Sequence, residues 1–323
     1  MKKCCFIIPY FGKLPDYFGV FLKTCTRNSD FNWLIFSDCV INYDIPDNVK
    51  IIKQSFEEFK KIIEEKIKVK VNIKSYHKLC DFKPAYGLIY EEYLKDFKSW
   101  GHCDIDIILG NLNKFITDDM IDKYDKIFCL GHMIIYKNTY DNNRMFMKKY
   151  NGKELYKEIF SSEKTFIFDE TFGGKDNINS IFEEYGKKIY TKDLAFNAKI
   201  FPTKFVRTQF DYSKYDFVDE SYKKAIYIWN NGDLYRLFLN EKKLVKEEFI
   251  YFHFQQRNMQ INYNIMKSNF FKIIPNKFDV LETIDITEKN FNKIKKNKLC
   301  MHYYSKHLEW YISKIKRGVK HDK

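Results

Sequence analysis

Apolar runs that alternate with helix-like segments dominate the first half of the chain. Continuous apolar runs, typical of strands buried on both faces of a sheet, occur at 4–9 (CCFIIP), 32–37 (NWLIFS) and 126–130 (KIFCL), with a shorter run at 49–52. The spacing at 17–26 predicts a helix, and Ser55 followed by Glu58 predicts a capped helix start. Strand, helix and strand in this order predict a parallel α/β sheet with right-handed crossovers.

The later pattern is less regular, but several elements can still be predicted. Pro84 suits a first helical turn, and apolar residues repeat at helical spacing as far as Phe97. The segment 139–150 has a helical pattern, whereas 165–170 and 249–254 have strand patterns. Runs at 225–229 and 234–239 flank Asn230-Asn231-Gly232-Asp233, where Asn-Gly supplies the positive φ angles of a hairpin turn.

The segment Asp104-Ile105-Asp106 carries two carboxylates separated by one apolar residue. Its period-two alternation predicts a strand end with both carboxylates on one face. Mg²⁺ and Mn²⁺ prefer carboxylate oxygens, so a metal site is one interpretation. A strand end with solvated acids explains the same pattern, and the motif alone leaves both interpretations open.

Length and composition indicate a folded protein with one main domain. The chain has 323 residues, of which 45% are hydrophobic and 18% aromatic, and it can bury a substantial core. We find no internal repeat or low-complexity linker. The sequence therefore predicts a domain at 1–275, with a hairpin near its C-terminal end, and a basic, aromatic helical extension at 276–323.

The formal net charge of +13 favours an anionic partner, such as nucleic acid, nucleotide phosphates or an anionic membrane surface. The charge is densest near the C-terminus, where basic and aromatic residues alternate: Lys293, Lys295, Lys296, Lys298, Tyr303, Tyr304, Trp310, Tyr311, Lys314, Lys316, Arg317 and Lys320. A solvated helix with a frayed tail explains this segment. Peripheral contact with anionic lipid headgroups, at the inner face of the cytoplasmic membrane, explains it as well.

Cysteine usage and hydropathy favour a soluble, cytoplasmic protein. The eight cysteines form no CxxC pair and no zinc-type spacing, so reduced core thiols are expected. Met1-Lys2-Lys3 leads directly into a strand too short to be a signal sequence. No apolar run approaches the roughly 18–20 residues that a membrane span needs.

Candidate polar residues follow several predicted strands, where ligands bind in open parallel sheets. The chain contains neither Gly-x-Gly-x-x-Gly nor Gly-Lys-Ser/Thr, so a dinucleotide fold of the usual type and a P-loop are not supported. A phosphate-bearing ligand would then need a metal to neutralise its charge. Asp104, Asp106 and His253 are candidate ligands for that metal.

Four motifs in this order resemble one enzyme group. They are Pro-Tyr-Phe-Gly at 9–12, Cys-Asp-Phe-Lys-Pro-Ala-Tyr-Gly at 80–87, the Asp-x-Asp at 104–106 and His-Phe-Gln-Gln-Arg at 253–257. Over residues 3–259 the chain resembles bacterial glycosyltransferases of the GT-A fold, found among capsule and lipopolysaccharide-type surface-glycan enzymes. The resemblance implies a Rossmann-type, mostly parallel sheet flanked by helices. It also implies transfer from a nucleotide sugar, with a UDP-sugar favoured, to a glycan or lipid-linked acceptor.

The resemblance also implies roles for particular residues. Asp106 would coordinate Mn²⁺ or Mg²⁺, Asp104 would contact ribose or sugar hydroxyls and also the metal, and His253 would be a third ligand. The nucleotide would be surrounded by Pro9, Tyr10, Phe11, Gly12, Asp38, Asp81 and Lys83, with Lys83 or Arg257 donating charge-assisted hydrogen bonds to phosphate. Structural roles remain open: Tyr10 as a packed loop aromatic, Lys83 as a residue before a helix, His253 as a core histidine.

An inverting enzyme needs a carboxylate base for the acceptor hydroxyl, and Asp169 and Glu170 are the candidates. Adjacent strand residues point to opposite faces, so only one of them would serve, and Asp169 is slightly favoured. A retaining enzyme would need no such base, so inversion is favoured only slightly. His132 either lines the acceptor cleft or lies in a surface loop.

Two alternative functions remain. A metal-dependent phosphoryl or nucleotidyl transferase would use the same acids, but no further acidic cluster for a second metal is evident. A basic nucleic-acid-binding protein is consistent with the charge and the aromatic content. No recognisable nucleic-acid motif is present, however, and the basic residues are interleaved with acids.

Overall fold

The chain forms two compact units, and each unit is assembled from three separate segments. The first consists of Met1–Leu14, Asn28–Ile105 and Leu112–Asp193, and the second of Pro15–Arg27, Asp106–Asn111 and Leu194–Lys323. The computed structural model describes residues 1–199, 204–220, 224–255 and 257–295, together with residues 304, 305, 308, 309, 311, 312 and 315.

Strands and short helices account for most of the regular structure. In chain order the strands are β1 (Lys2–Tyr10), β2 (Phe31–Ser37), β3 (Val49–Lys53), β4 (Phe97–Cys103), β5 (Ile107–Leu109), β6 (Lys126–Ile127), β7 (Met133–Lys137), β8 (Ile189–Tyr190), β9 (Phe196–Lys199), β10 (Val206–Asp211), β11 (Asp216–Glu220), β12 (Ala225–Asn230), β13 (Asp233–Asn240), β14 (Lys243–Glu248), β15 (Tyr251–His253), β16 (Gln260–Ile261), β17 (Phe270–Ile274) and β18 (Lys277–Val280). The α-helices are α1 (Phe18–Cys25), α2 (Phe56–Ile67), α3 (Tyr86–Ile89), α4 (Leu112–Phe115), α5 (Asp118–Lys123), α6 (Leu155–Ser161), α7 (Ile178–Glu184) and α8 (Phe291–Ile294). Turns of 3₁₀-helix occupy Tyr76–Ala85, Glu91–Tyr93, Asn142–Met147, Thr171–Gly173 and Tyr263–Lys267.

The first unit contains a seven-stranded sheet with the order β3-β2-β1-β4-β7-β6-β8. The pairs β3/β2, β2/β1, β1/β4 and β6/β8 are parallel, whereas β7 is antiparallel to both of its neighbours. The apolar run in β1 is buried over six consecutive residues, as expected for a strand covered on both faces. The predicted α/β class with a mostly parallel sheet is therefore confirmed.

Helix α2 covers this sheet and begins at the predicted cap. The Ser55 hydroxyl accepts a hydrogen bond from the Glu58 amide, and the Glu58 carboxylate accepts one from the Ser55 amide at 2.7 Å. This capping box satisfies two backbone donors at the start of the helix. The buried face of the helix, formed by Phe59, Ile63 and Ile67, packs into the main apolar cluster of the unit.

The predicted long helix from Pro84 to Phe97 is wrong. The chain instead passes through a 3₁₀ segment, the single turn of α3 and another 3₁₀ turn before Phe97 begins β4. Ile89, Tyr90 and Leu94 are all buried in the same apolar cluster. Tight turns that bury residues on several sides thus produce the spacing that resembles a helical face.

The predicted strand at 165–170 is also wrong. Phe166 and Phe168 donate their backbone N–H groups to the Asp81 carboxylate, at 3.0 and 2.9 Å, and Ile167 has a φ of 59°. A buried side chain therefore provides the acceptors that a neighbouring strand would otherwise offer. The predicted helix at 139–150 is reduced to its central 3₁₀ turn, and the strand at 126–130 is reduced to β6 because Phe128 has a φ of 70°.

The second unit contains a five-stranded sheet, β11-β10-β9-β15-β5, and a six-stranded sheet, β14-β13-β12-β17-β18-β16. The predicted hairpin is confirmed as β12 and β13, with Asn230 opposite Asp233 and positive φ values at Asn231 and Gly232. Aromatic residues of both sheets, including Phe196 and Trp229, share one apolar cluster. The hairpin turn and this shared core fix the strand order of the unit.

Residues beyond 275 contribute to this second unit. Strand β18 pairs with β17, and Phe291 and Ile294 of α8 pack against Ile226 and Ile228 of β12. Most of the basic tail after 295 lies outside the described residues. A boundary at 276, and the lipid contact of the tail, stay predictions. In the part of the chain that is described, no helix is both long and apolar enough to cross a membrane, and the seven cysteines there are free thiols.

We expect Gly87→Ala to destabilise the protein, although Ala normally favours a helix over Gly by about 1 kcal/mol. A Cβ atom at Gly87 would lie 2.3 Å from Cε2 of Trp100, which is fully buried and donates a hydrogen bond to Asn143. Overpacking of a core costs about 1–3 kcal/mol. Urea denaturation should therefore show a lower free energy of unfolding for the variant.

The matched control is the same substitution in a Trp100→Phe background. Phe lacks the Cζ2 and Nε1 atoms that lie 2.4 and 2.5 Å from the added methyl group, so the cost of Gly87→Ala should fall in that background. An equal cost in both backgrounds would show that the contact with Trp100 is not the cause.

Candidate functional site

Lys83 is the centre of a cluster of polar groups in the first unit. Its Nζ lies 2.9 Å from Oδ1 of Asp104, 2.8 Å from the carbonyl oxygen of Gly131 and 3.1 Å from Oδ2 of Asp169. An ammonium group has three N–H donors, so these three acceptors satisfy all of them. The sequence predictions for Lys83, Asp104 and Asp169 therefore converge on one place in the fold.

Burial and charge shift the pKa values within this cluster. Burial alone would lower the pKa of Lys83, but Asp104 and Asp169 hold it well above its ordinary value. Burial raises the pKa of Asp169 to about 7, and the neighbouring Glu170 and Asp104 charges act in the same direction, against Lys83. Lys83 thus stays charged, and Asp169 has a proton affinity suited to exchange near neutral pH.

The backbone of Gly131 contacts both Asp169 and Glu170, the two candidates for the catalytic base. Its carbonyl accepts the Lys83 hydrogen bond, and its N–H donates to Oε2 of Glu170 at 2.7 Å. A Cβ atom at this position would lie 2.2 Å from Oδ2 of Asp169. The backbone can approach the carboxylate this closely only because the residue is glycine.

Asp104 and Asp106 do not lie on a strand, in contrast to the sequence prediction. Strand β4 ends at Cys103 and β5 begins at Ile107, so both acids lie in the connection between them. The backbone N–H of Asp104 donates to the carbonyl of His132 at 3.1 Å. His132 is buried, so it is not the surface-loop histidine that one sequence interpretation described.

Asp106 and His253 face each other in the second unit. Oδ1 of Asp106 lies 3.5 Å from Nε2 of His253, and each of the two side chains is 12% exposed. The strand pairing explains the arrangement, because His253 of β15 lies opposite Ile107 of β5. The Asp106 carbonyl also accepts the Phe254 N–H at 3.0 Å, which fixes the backbone on which the carboxylate is mounted.

Asn197 orients the His253 ring from the other side. Oδ1 of Asn197 lies 2.9 Å from Nδ1 of His253 and accepts a hydrogen bond from Nε2 of Gln255 at the same distance. Because an amide oxygen only accepts, Nδ1 of His253 is the protonated nitrogen. In a neutral imidazole, Nε2 then carries a lone pair directed towards a carboxylate oxygen. A cation can bind both such atoms, and an acceptor that orients the second ring nitrogen is typical of histidine metal ligands.

Several residues predicted around the nucleotide lie at the carboxyl end of β1. Pro9 and Tyr10 are the last residues of β1, and the Tyr10 hydroxyl donates to the Lys13 carbonyl at 2.9 Å. The Gly12 N–H lies 3.3 Å from Oδ1 of Asp38, which is exposed. This strand end presents polar groups to solvent.

Three other predicted residues have structural contacts. Phe11 is 3% exposed and packs in the main apolar cluster. Asp81 is fully buried, and its carboxylate pairs with Lys78 at 2.7 Å and accepts the 166 and 168 amides described above. Arg257 is fully buried and donates to the carbonyls of Pro275 and Lys199, at 2.8 and 2.6 Å. These contacts hold loops together, so we leave all three residues out of the proposed site.

Sequence reasoning missed Gly131 and Asn197. Gly131 follows a short strand in the sequence, which is a usable signal for a close backbone approach. Asn197 has no such signal, because its contact with His253 depends on the parallel register of β9 and β15, 56 residues apart in the chain. Only the sheet pairing identifies it.

We expect the stability of Asp169→Asn relative to the wild type to increase with pH. A carboxyl group whose pKa is raised on folding, here from 3.8 to about 7, stabilises the folded state fully only below its unfolded pKa. The wild type loses this stabilising contribution as the pH rises towards about 7. Asn does not ionise, so the variant does not lose stability in this way. Urea denaturation across this range should show a relative gain of up to about 4 kcal/mol that levels off above about pH 7.

The control for this measurement is Asp176→Asn, at an exposed position a few residues further along the chain. Its stability difference from the wild type should not follow the same course with pH. A pH-independent difference for Asp169→Asn would contradict the assignment of a raised pKa to Asp169.

Comparisons with known proteins give one family and several similar structures, two of which are described here. No curated protein matches the chain. A galactosyltransferase, LgtC, solved with donor and acceptor sugar analogues, is similar with 9% identity and a TM-score of 0.36 over 60% of this chain and 75% of that chain. An active-site mutant of LgtC is similar with 8% identity, a TM-score of 0.33 and the same coverage. The model of a family of unknown function matches residues 6–282, and the chain therefore belongs to that family, DUF6625.

Proposed function

We propose that this protein is a metal-dependent glycosyltransferase that transfers a sugar from a nucleotide sugar to a glycan or lipid-linked acceptor of a surface polysaccharide. A UDP-sugar is the favoured donor. The observation that carries the proposal is the Asp106–His253 pair, in which a carboxylate oxygen and an imidazole nitrogen face each other at 3.5 Å. The Asp-x-Asp segment supplies a second carboxylate, Asp104, two residues away in the chain.

The metal would be held by Asp106 and His253, together with Asp104. One carboxylate oxygen and one imidazole nitrogen, with a further carboxylate nearby in sequence, suit Mn²⁺ and are compatible with Mg²⁺. When bound, such an ion supplies positive charge that stabilises a departing nucleoside diphosphate. Asn197 would act as a positioning residue, because its hydrogen bond selects the Nδ1–H tautomer of the neutral His253 ring and directs Nε2 towards Asp106.

Lys83 would position Asp104 rather than bind phosphate. Its three donors are satisfied by Asp104, Gly131 and Asp169, so a phosphate contact would require the loss of one of these hydrogen bonds. The charge of Lys83 keeps Asp104 oriented, and we propose that this carboxylate contacts a hydroxyl of the donor. We keep four residues as candidates for the nucleotide site. Pro9, Tyr10 and Gly12 lie at or just after the end of β1, and Asp38 follows the neighbouring strand β2.

The base for the acceptor hydroxyl would come from the Asp169–Glu170 pair. Asp169 is 2% exposed and contacts Lys83, whereas Glu170 is partly exposed. Accessibility therefore favours Glu170 as the base. Asp169 would influence its proton affinity through the interaction between the two charges. A carboxylate base is consistent with an inverting reaction.

The test of this proposal is the thermal stability of the full chain with UDP and a panel of nucleotide sugars, with and without Mn²⁺. A ligand that binds only the folded state stabilises it by about 2.7 kcal/mol at one hundred times its Kd. We expect UDP to raise the melting temperature only when Mn²⁺ is present. Asp106→Ala should abolish this increase, because the metal would lose a charged ligand.

Asp119→Ala is the matched control, since Asp119 is an exposed aspartate in the first turn of α5. Its own melting temperature can differ slightly, but the increase caused by UDP and Mn²⁺ should remain. If no nucleotide stabilises the folded wild type in the presence of Mn²⁺, the proposed function is wrong. Stabilisation by random DNA that weakens steeply with salt would instead support nucleic-acid binding.

A further inference from the structure

We infer that a basic cleft in the second unit is a binding site for a phosphate group, separate from the residues of the proposed metal site. The cleft has a volume of about 380 Å³, counting its open mouth. Its lining combines three lysines, Lys204, Lys272 and Lys295, with apolar and aromatic residues from β12, β17 and α8. Ligand sites in proteins commonly combine apolar walls with a few converging polar groups.

Strand alternation directs Lys272 into this cleft. Phe271 and Ile273, its neighbours on β17, belong to the aromatic core of the unit, so Lys272 lies on the opposite face of the six-stranded sheet. That face is covered by Phe291 and Ile294 of α8. The side chain of Lys272 is therefore placed beneath a helix, in a position that a sheet normally fills with an apolar residue.

Lys272 is buried without a partner among the described residues. The residue is 7% exposed, and its ammonium group makes no ion pair or hydrogen bond with any described residue. Asp279 lies opposite it on β18, but the Asp279 carboxylate contacts Lys277 and Asn262, each at 3.0 Å. The Nζ atom itself is not fully buried, so it can be reached from solvent, and an anion bound in the cleft would pair with it.

The other two lysines strengthen the case for an anion. None of the described residues that line the cleft is acidic, and Lys204 and Lys295 add two further basic side chains to its lining. Burial, and to a smaller extent the nearby Lys224, lower the pKa of Lys295, so additional positive charge is unfavourable there. An anion in the cleft would relieve both the repulsion and the missing partner of Lys272.

Phosphate is the anion that fits these groups. Its oxygens accept charge-assisted hydrogen bonds from several ammonium groups at once, and lysine binds it as a point charge. The phosphate can belong to a small soluble molecule or to a lipid headgroup, because the cleft is open at its mouth. The two sources share the same contacts with Lys204, Lys272 and Lys295.

The first experiment titrates inorganic phosphate into the full-length protein, in EDTA and at constant ionic strength, with chloride as the reference anion. EDTA removes divalent metals, so binding at the proposed Asp106–His253 site does not contribute. Isothermal titration calorimetry should detect phosphate binding to the wild type. Lys272→Met should weaken it about tenfold or more, because one charge-assisted hydrogen bond is lost.

The matched control is Lys243→Met, which makes the same charge change at an exposed position on the edge strand β14 of the same sheet. Its phosphate affinity should equal that of the wild type. If Lys272→Met does not fold, as judged by circular dichroism, Lys295→Met takes its place with the same expected loss. Equal phosphate affinity in the wild type and the cleft variant would overturn the inference.

A second arm distinguishes the source of the phosphate. Co-sedimentation with phosphatidylglycerol vesicles, compared with phosphatidylcholine vesicles, reports on lipid headgroups. Vesicle binding that is lost in the cleft variant but kept in Lys243→Met identifies a headgroup, whereas binding of free phosphate alone identifies a soluble ligand. Absence of both kinds of binding in the wild type would also overturn the inference. A negative result here leaves the UDP and Mn²⁺ test unaffected, because that test depends on Asp106.

Discussion

The ammonium group of Lys83 is the constraint on which the candidate site of the first unit depends. A buried lysine must stay paired, and here two carboxylates and one carbonyl satisfy it completely. Each partner comes from a different part of the chain: the end of β4, the turn before β7 and the loop before α7. The lysine thus joins the loop before α7 to the adjoining ends of the paired strands β4 and β7. The glycine at 131 is part of the same constraint, because any side chain there would displace Asp169.

In the second unit, a side-chain amide rather than a charged group orients the candidate site residue. Asn197 accepts hydrogen bonds from His253 and Gln255, and this fixes which imidazole nitrogen is protonated. In the neutral ring, Nε2 is then the nitrogen that can bind a metal. The amide acts through the sheet register, because β9 and β15 bring the two residues side by side.

Elements with local signals could be predicted from the sequence, and elements with long-range causes could not. The buried β1 run, the Ser55 cap and the Asn-Gly hairpin each depend on residues within a few positions of one another. The expected strand at 165–170 failed because Asp81, more than 80 residues earlier, binds its amides. The candidate acids and His253 were found from residue type and order, whereas Gly131 and Asn197 depend on a loop contact and a strand register. The site's chemistry was therefore more predictable than the contacts that hold it in place.

The discontinuous composition of the second unit has a consequence for synthesis on the ribosome. Its first two segments, Pro15–Arg27 and Asp106–Asn111, emerge long before Leu194–Lys323. Strand β5 has no partner until β15 has been translated, because Tyr251 pairs with Leu109. Apolar residues such as Val20 and Ile108 therefore remain without their final core for most of the translation time. Such exposure of apolar surface favours aggregation of a nascent chain. The same discontinuity means that neither unit can be produced as one uninterrupted fragment of the gene.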